Sequence, residues 1–235
     1  MAIAIDATSA SSGVSSVSSV TYSHTVAGAN EVIVISIGAR TNKANTNNIV
    51  STVTYNGTSC TSQRADANIA SDPDTFSGRS AIYTLVNPST GANNVVVTWT
   101  GTVTYGASGA SSWTGADQTT PVNAVGGATG TSTTLSAGIT TTVDNCYLVD
   151  AVYSRSGTLT KNAAQTTIAN ISIAGDDTVG ASYKNAGTAG AKTMDWTESA
   201  DGNDWAMSVI ALAPSSSVAV VSNGMMTTSS KFWGT

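Results

Sequence analysis

The stretch Val50-Ser-Thr-Val-Thr-Tyr-Asn-Gly57 decides the fold class of this chain. Its first six residues are rich in β-branched and aromatic side chains, which favour strands because they pack well on a pleated surface. Asn56-Gly57 follows at once, and this dipeptide is the strongest short signal for a two-residue hairpin turn, since both residues tolerate positive φ. The stretch therefore predicts a β-strand that turns back on itself.

Strand signals continue on both sides of this hairpin. Upstream, 32–37 is a continuous apolar run, as in a strand covered on both faces, and 20–26 alternates with a period of two. Downstream, strands are predicted at 80–86, 94–100, 102–108, 133–140, 146–153, 166–173, 179–184, 192–197 and 205–213. Gly, Asn, Asp and Pro fill the gaps, Gly126-Gly127 and Asp176-Asp177 among them. The pattern predicts an all-β fold, a two-sheet antiparallel β-sandwich that is jelly-roll-like.

Composition supports a β fold and excludes some partners. Only 10% of the 235 residues are charged and the formal net charge is −5, against about 25% charged residues in typical soluble domains. The nine basic residues are scattered, so no cluster could neutralise a run of phosphates, and nucleic acid is not an expected partner. No apolar stretch approaches the roughly 20 residues of a membrane-spanning helix, so membrane insertion is not expected either.

The chain divides at Pro214. Residues 1–213 are predicted to form the sandwich domain, and 214–235 a linker and docking tail. This tail carries Met225, Met226, Phe232 and Trp233 with one charge, Lys231. Apolar side chains in a tail indicate docking, either on its own domain or on a neighbouring subunit, and a disordered end is the alternative. At the other end, 1–6 has neither a basic nor a long apolar region, so no secretory signal is expected.

The search for catalytic residues finds no recognisable active site. His24 is the single histidine and shares strand parity with Tyr22 and Val26, which favours a packed side chain over a base or a metal ligand. No serine-protease-like motif, zinc spacing or phosphate-binding loop is present. The carboxylates are spread along the chain, and Asp150 lies in a predicted strand, facing inward or lining a groove. The prediction is a protein with no catalytic and no cofactor-binding residues.

Calcium is the one metal for which the sequence offers candidates. Oxygen-bearing residues crowd one stretch, and the candidate ligands are Asp195, Glu198, Asp201, Asn203 and Asp204. A second acidic turn contains Asp72 and Asp74. Calcium prefers several oxygen ligands on a flexible loop, but the ordered Asp-x-Asp-x-Asp-Gly pattern is missing. Ordinary turn chemistry is the favoured interpretation, and a calcium site is the alternative.

Cysteines and aromatic residues leave further alternatives open. Cys60 and Cys146 are predicted to be buried free thiols, although a disulfide between them is possible. Aromatic residues in strands are more often core than a stacking platform for glycans. This applies to Trp99, Trp113, Trp196 and Trp205. The most apolar runs also predict burial of Val34, Tyr147, Val149 and Val209.

Several short motifs, in this order, resemble a β-sandwich module of bacterial surface proteins and bacteriophage structural proteins. They are Val20-Thr-Tyr-Ser-His-Thr-Val26, Val53-Thr-Tyr-Asn-Gly57, Ala81-Ile-Tyr-Thr-Leu-Val-Asn-Pro88, Val95-Val-Val-Thr98, Gly115-Ala-Asp-Gln-Thr-Thr-Pro121 and Asp204-Trp-Ala-Met-Ser-Val-Ile-Ala-Leu212. The resemblance spans roughly 15–213, leaves the tail outside, and brings no catalytic residues with it.

This resemblance implies a non-catalytic structural protein of a bacteriophage virion, as head decoration, fibre or tail component. The expected partners are other copies of the chain and adjoining virion proteins. A virion location also reconciles the extracellular character of the composition with the missing secretion signal. The alternative is a glycan-binding or adhesion module of a bacterial surface protein, located outside the cell or at its surface. A hydrolase is the third hypothesis, and two facing carboxylates in a cleft would favour it.

Overall fold

A computed structural model describes residues 2–41, 49–68, 77–155, 157–174, 177–199 and 204–215. The described residues form sixteen strands and no helix. The strands are β1 (Ala4–Ala10), β2 (Val14–Val26), β3 (Val32–Thr41), β4 (Val50–Tyr55), β5 (Thr58–Ser59), β6 (Thr61–Asn68), β7 (Ser77–Val86), β8 (Gly91–Thr114), β9 (Val122–Gly130), β10 (Thr134–Thr141), β11 (Tyr147–Ser154), β12 (Leu159–Lys161), β13 (Thr166–Ile173), β14 (Asp177–Asn185), β15 (Gly190–Glu198) and β16 (Trp205–Leu212).

The first half of the chain forms one large sheet. Its strand order is β5-β4-β8-β3-β7-β6, and β1 and β2 also pair with β8. The 24-residue strand β8 pairs with β2 over residues 91–106 and with β4 over 95–99. It pairs with β3 over 105–113 and with β1 over 109–114. Trp99 packs against Gly106 within β8, where an added Cβ would lie 2.9 Å from the indole ring. The large sheet therefore curls around its own core, which contains Ile35, Val53 and Val97.

The second half of the chain forms two smaller sheets. The central sheet has the order β13-β14-β11-β16-β9, and the small sheet has the order β10-β15-β12. Every strand pair in the three sheets is antiparallel. Chain order thus separates the sheets: the large sheet uses residues 4–114, and the others use residues 122–212.

Strand β11 shows how the layers are stacked. Successive side chains of a strand point to opposite faces. Val149 and Ala151 lie in one core with residues of the large sheet, while Leu148 and Val152 lie in another with residues of the small sheet. Full burial of each valine or leucine contributes roughly 1.5–3 kcal/mol. The central sheet is therefore the middle layer, covered on both faces by apolar contacts.

The predicted all-β antiparallel sandwich is confirmed, with the described strands in three sheets where two were expected. The Asn56-Gly57 hairpin joins β4 to β5. Both turn residues have positive φ, 48° at Asn56 and 76° at Gly57. Three of the four residues expected in the core, Val34, Val149 and Val209, are at most 1% exposed. Tyr147 is partly exposed because it lies at the rim of the core, with its ring 5.1 Å from that of Trp113.

Some element predictions were wrong. Residues 94–100 and 102–108 are not two strands but parts of the continuous β8, and β1, β6 and β9 were not anticipated. Gly126-Gly127 was expected in a turn and lies instead within β9. A Cβ at Gly126 would lie 2.2 Å from the carbonyl oxygen of Gly138, and one at Gly127 would lie 2.1 Å from the Asp66 carboxylate. These glycines are needed for close packing rather than for a turn.

Candidate functional site

The candidate calcium ligands do not converge in the part of the chain that the structure describes. Asp195 lies on the outer face of β15 and accepts hydrogen bonds from Ser136 Oγ at 2.7 Å and Thr193 Oγ1 at 3.1 Å. Glu198, three residues later, has the opposite parity on the strand. Its carboxylate is buried and accepts a hydrogen bond from the Ser154 hydroxyl. The two carboxylates therefore cannot bind the same ion.

The third described candidate also has a local partner. Asp204 accepts a hydrogen bond from Asn68 Nδ2 at 3.3 Å, and burial raises the pKa of its carboxyl group although Arg155 opposes the shift. Asp201 and Asn203, together with Asp72 and Asp74, lie outside the described residues. Within the described ranges, no group of three or more His, Cys, Asp or Glu side chains is arranged to hold a metal ion.

The four predicted docking residues, Met225, Met226, Phe232 and Trp233, lie outside the described residues, so their role stays a prediction. The described chain ends beside the large sheet, where Pro214 forms an isolated bridge with Ala116. The backbone N–H of Ser215 donates to the carbonyl oxygen of Gly115 at 2.8 Å. The first two residues of the predicted tail, Pro214 and Ser215, are therefore bound to the segment that follows β8.

His24 is a packed core residue with 1% exposure. Its Nδ1 lies 2.9 Å from Ser9 Oγ, and its ring meets Tyr55 edge-on with centroids 6.3 Å apart. Nε2 has no hydrogen-bond partner among the described residues. Burial therefore lowers the pKa of His24 to about 4, although the charge of Asp6 opposes the shift. A neutral, enclosed imidazole of this kind contributes packing rather than proton transfer to a substrate.

The depressed pKa of His24 predicts a pH-dependent stability. Between pH 6.5 and 4 the unfolded chain binds more protons than the folded chain, so stability is lost as the pH falls through that window. The shift corresponds to about 3 kcal/mol. Urea unfolding at pH 7, 5.5 and 4 should show that the wild type loses stability relative to His24→Gln as the pH falls, since every other titrating group is common to both proteins. An identical pH profile in both proteins would contradict the assignment.

A carboxylate pair next to His24 holds the turn between β2 and β3. Asp6 accepts hydrogen bonds from the backbone N–H of Ala27 at 3.1 Å and from Ser112 Oγ at 2.8 Å. Glu31 accepts one from the backbone N–H of Gly28 at 2.7 Å. Burial, together with the nearby charge of Asp6, raises the pKa of Glu31. Asp6 therefore links β1 to β8 and to the turn between β2 and β3, and Glu31 closes that turn.

Asp150 is fully buried and connects all three sheets. Its carboxylate accepts hydrogen bonds from the Ser182 N–H at 2.6 Å, from Ser182 Oγ at 2.8 Å and from Trp196 Nε1, in the small sheet, at 2.8 Å. Its backbone carbonyl accepts one from Ser36 Oγ, in the large sheet, at 2.8 Å. Burial raises the pKa of Asp150 to about 7 against the opposing effect of these donors. The sequence signal was a single carboxylate in an apolar strand, and the structure places it inward.

A second buried network joins the large and central sheets. Arg40 Nη1, on β3, donates to the Asp177 carboxylate at 2.9 Å. The Tyr153 hydroxyl donates to the same carboxylate, and the Arg40 guanidinium lies 5.2 Å from the centre of the Tyr105 ring. Burial and the charge of Asp177 raise the pKa of Tyr153. Sequence analysis does not predict this network, because Asp176-Asp177 has the composition of a turn.

The tryptophans predicted to be core residues are buried, with exposures from 0% to 4%. They are Trp99, Trp113, Trp196 and Trp205. Four tyrosines are partly exposed instead, namely Tyr22, Tyr105, Tyr147 and Tyr183. The ring centroids of Tyr147 and Tyr183 lie 6.3 Å apart. Both rings also contact Trp113 at 5.1 Å. Cys60 and Cys146 are free, as predicted, but Cys60 is partly exposed where burial was expected.

Clefts open between neighbouring elements in the part of the chain that the structure describes. One, of about 430 Å³, lies between Arg64–Ala67 of β6 and Gly127–Thr129 of β9. Its carboxylate, Asp66, is paired with Arg64 and accepts a hydrogen bond from Ser208 Oγ at 2.7 Å. Another, of about 300 Å³, includes Asp117, whose carboxylate accepts hydrogen bonds from two backbone N–H groups. Neither cleft presents the pair of carboxylates that glycoside hydrolysis needs.

Comparisons of this chain with protein-family models, with curated proteins and with solved structures found no match. Among the described residues, no helix has the length and apolar character needed to cross a membrane.

Proposed function

We propose that this chain is a non-catalytic structural protein of a bacteriophage virion. The main observation behind the proposal is that Asp150 is fully buried, at 0% exposure, and that its hydrogen bonds connect three sheets. A catalytic carboxylate has to reach a substrate, whereas this one is enclosed by the scaffold. Arg40 and Asp177 are used in the same way. These buried ionic groups stabilise the contacts between sheets, as expected for a protein with a structural role.

The resemblance to phage structural modules selects the virion among structural roles, and the proposal covers head decoration, fibre and tail positions. The test is whether purified phage particles contain the chain. Particles purified on a density gradient should contain it at a fixed copy number, measured by quantitative mass spectrometry. Immunogold labelling should locate it on the particle. Absence from gradient-purified particles that contain their other structural proteins would refute the proposal.

A glycan-binding or adhesion module is the second candidate, and Tyr147 and Tyr183 are the observation that favours it. The two partly exposed rings on the central sheet could stack on a sugar, since the described tryptophans are buried. A glycan array probed with the wild type and with Tyr183→Ala separates the hypotheses. Glycan binding that is lost in Tyr183→Ala would support this second function. If the wild type binds no glycan, the second function is refuted and the virion proposal remains.

The tail is expected to contact a partner in the assembled particle. Residues 218–235 contain Val, Met, Phe and Trp side chains with one charge, Lys231, and burial of each large apolar side chain is worth roughly 1.5–3 kcal/mol. Ordering the backbone costs about 1–2 kcal/mol per residue. A groove or sheet edge of a neighbouring molecule is therefore needed to supply enough burial and hydrogen bonding to offset that cost. Deletion of residues 215–235 should leave the circular dichroism spectrum of the sandwich intact and reduce incorporation into particles. Unchanged incorporation would show that assembly uses the sandwich alone.

A further inference from the structure

Three sheet edges lie on the same side of the molecule. β6, β9 and β10 are each the outermost strand of their sheet, the large, central and small sheet respectively. Gly126 of β9 packs on the Gly138 carbonyl of β10, and Gly127 packs on Asp66 of β6, at distances that leave no room for a Cβ. The three edges are therefore stacked in direct contact. We call the surface formed by β6, β9 and β10 the edge face.

The middle strand of the edge face is an unprotected edge. β9 pairs with β16 on one side, and no described strand pairs with its other side. Natural proteins protect such edges with charges, prolines or bulges. β9 and β10 contain no charged residue and no proline. The irregularity in the β9–β16 pairing falls at the start of β9, opposite Ala211/Leu212, and leaves the remainder of the strand regular.

Exposed apolar side chains lie on the same side. Of the residues that the structure describes, the large hydrophobic ones that are well exposed are Val125 at 44% and Val143 at 41%. Val125 is in the middle of β9, and Val143 lines the 300 Å³ cleft together with Val122 and Asn123 at the start of β9. An unpaired edge and exposed valines in one place are features of a protein interface.

We propose that the edge face binds a second copy of this chain, with β9 pairing antiparallel to the same strand of that copy. A two-fold axis at Gly126 places Val125 opposite Gly127 and Ala124 opposite Ala128, so each large side chain meets a small one. No like charges face each other along β9, and a two-fold interface has to be self-complementary in this way. The proposal rests on the proposed function, because it names the contact through which such a structural protein would assemble.

The edge face is large enough for a stable dimer. Nine strand residues span about 30 Å, and three stacked sheets span about 20 Å. A face of that size offers on the order of 600 Å² per copy, or about 1,200 Å² in total, at the lower limit of stable interfaces. β9 alone would offer much less, so the neighbouring β6 and β10 edges are needed as well.

Sedimentation velocity of the full chain between about 1 and 100 µM tests this. The wild type should form dimers, and Val125→Lys should weaken the dimer at least tenfold because it brings a charge to the uncharged strand on each copy. Thr52→Lys, an exposed strand position outside the edge face, should have no effect. Circular dichroism of both variants confirms that they fold. A monomeric wild type at 100 µM, or a dimer that tolerates Val125→Lys, overturns the proposal.

Cross-linking gives an independent measurement. Across the two-fold axis the two 125 positions are diagonal neighbours, about 7–8 Å apart. In a Cys60→Ser background, Val125→Cys should give covalent dimers with a short bis-maleimide, and Thr52→Cys should not. Equal cross-linking of both variants contradicts the proposed face. A monomeric chain that is nevertheless present in particles ends this inference alone, whereas a dimer that is absent from particles ends the virion proposal.

Discussion

Asp150→Ala is expected to lower the free energy of unfolding by about 3–5 kcal/mol, since it leaves the Ser182 N–H and Trp196 Nε1 without an acceptor in a dry interior. Both donors are fully enclosed, and the cavity left by the carboxylate adds to the loss. Urea unfolding followed by tryptophan fluorescence measures the change. A loss below about 1 kcal/mol would show that water reaches this site.

Asp195→Ala is the matched control. Asp195 immediately precedes Trp196, but its carboxylate lies on the outer face, where it accepts hydrogen bonds from Ser136 and Thr193. Water can replace those bonds, so the expected loss is at most about 1 kcal/mol. If Asp195→Ala lowered the free energy of unfolding as much as Asp150→Ala, the loss would have to come from disturbed β10–β15 pairing rather than from the buried carboxylate.

The raised pKa of Asp150 also predicts a pH dependence opposite in sign to that of His24. Between pH 4 and 7 the folded chain binds the proton that the unfolded chain releases, so stability falls as the pH rises through this window. The shift from 3.8 to about 7 corresponds to about 4 kcal/mol. Because His24 acts in the other direction over a similar range, the slope has to be read from the difference between wild type and Asp150→Asn. A difference that does not change with pH would disprove the raised pKa.

Arg40→Met is expected to cost about 3–5 kcal/mol, because it leaves the fully buried Asp177 carboxylate without its cation. Methionine retains much of the aliphatic packing, so the loss reports the charge. Arg64→Met is the comparison. The Arg64–Asp66 pair is bidentate, through Nε and Nη2, but the Arg64 side chain is 36% exposed against 11% for Arg40. Solvent screens that pair, and the expected loss is under about 1 kcal/mol.

A second variant separates loss of charge pairing from general damage. Arg40→Met combined with Asp177→Asn removes both charges and should recover part of the stability lost in Arg40→Met, since no buried ion is left unpaired. Thermal unfolding at pH 7 is measured for the wild type, Arg40→Met, Asp177→Asn and the double variant. If the stability loss of the double variant equals the sum of the losses in Arg40→Met and Asp177→Asn, the two residues act independently and do not form one network.

Sequence alone determined the fold class and much of the strand content. The apolar run at 32–37 and the alternation at 20–26 became β3 and part of β2, and Asn56-Gly57 became a hairpin with both residues at positive φ. These features are local, because side-chain periodicity and turn geometry depend on neighbours within a few residues. The burial of the tryptophans also followed from their position in strands.

Only the tertiary structure decided the rest. Nothing in the composition of β9, with Gly126 and Gly127, indicates a strand. It forms a strand by pairing with β16, and its glycines leave room for the Gly138 carbonyl and the Asp66 carboxylate. The composition of Asp176-Asp177 predicts a turn, but Asp177 lies in β14 and pairs with Arg40, 137 positions away in the sequence. Asp150 could have faced a groove or the interior, and Ser36 and Trp196 decided between them. In each case the deciding contact comes from a different sheet, and residue patterns along one strand carry no information about which atoms another sheet will bring against it.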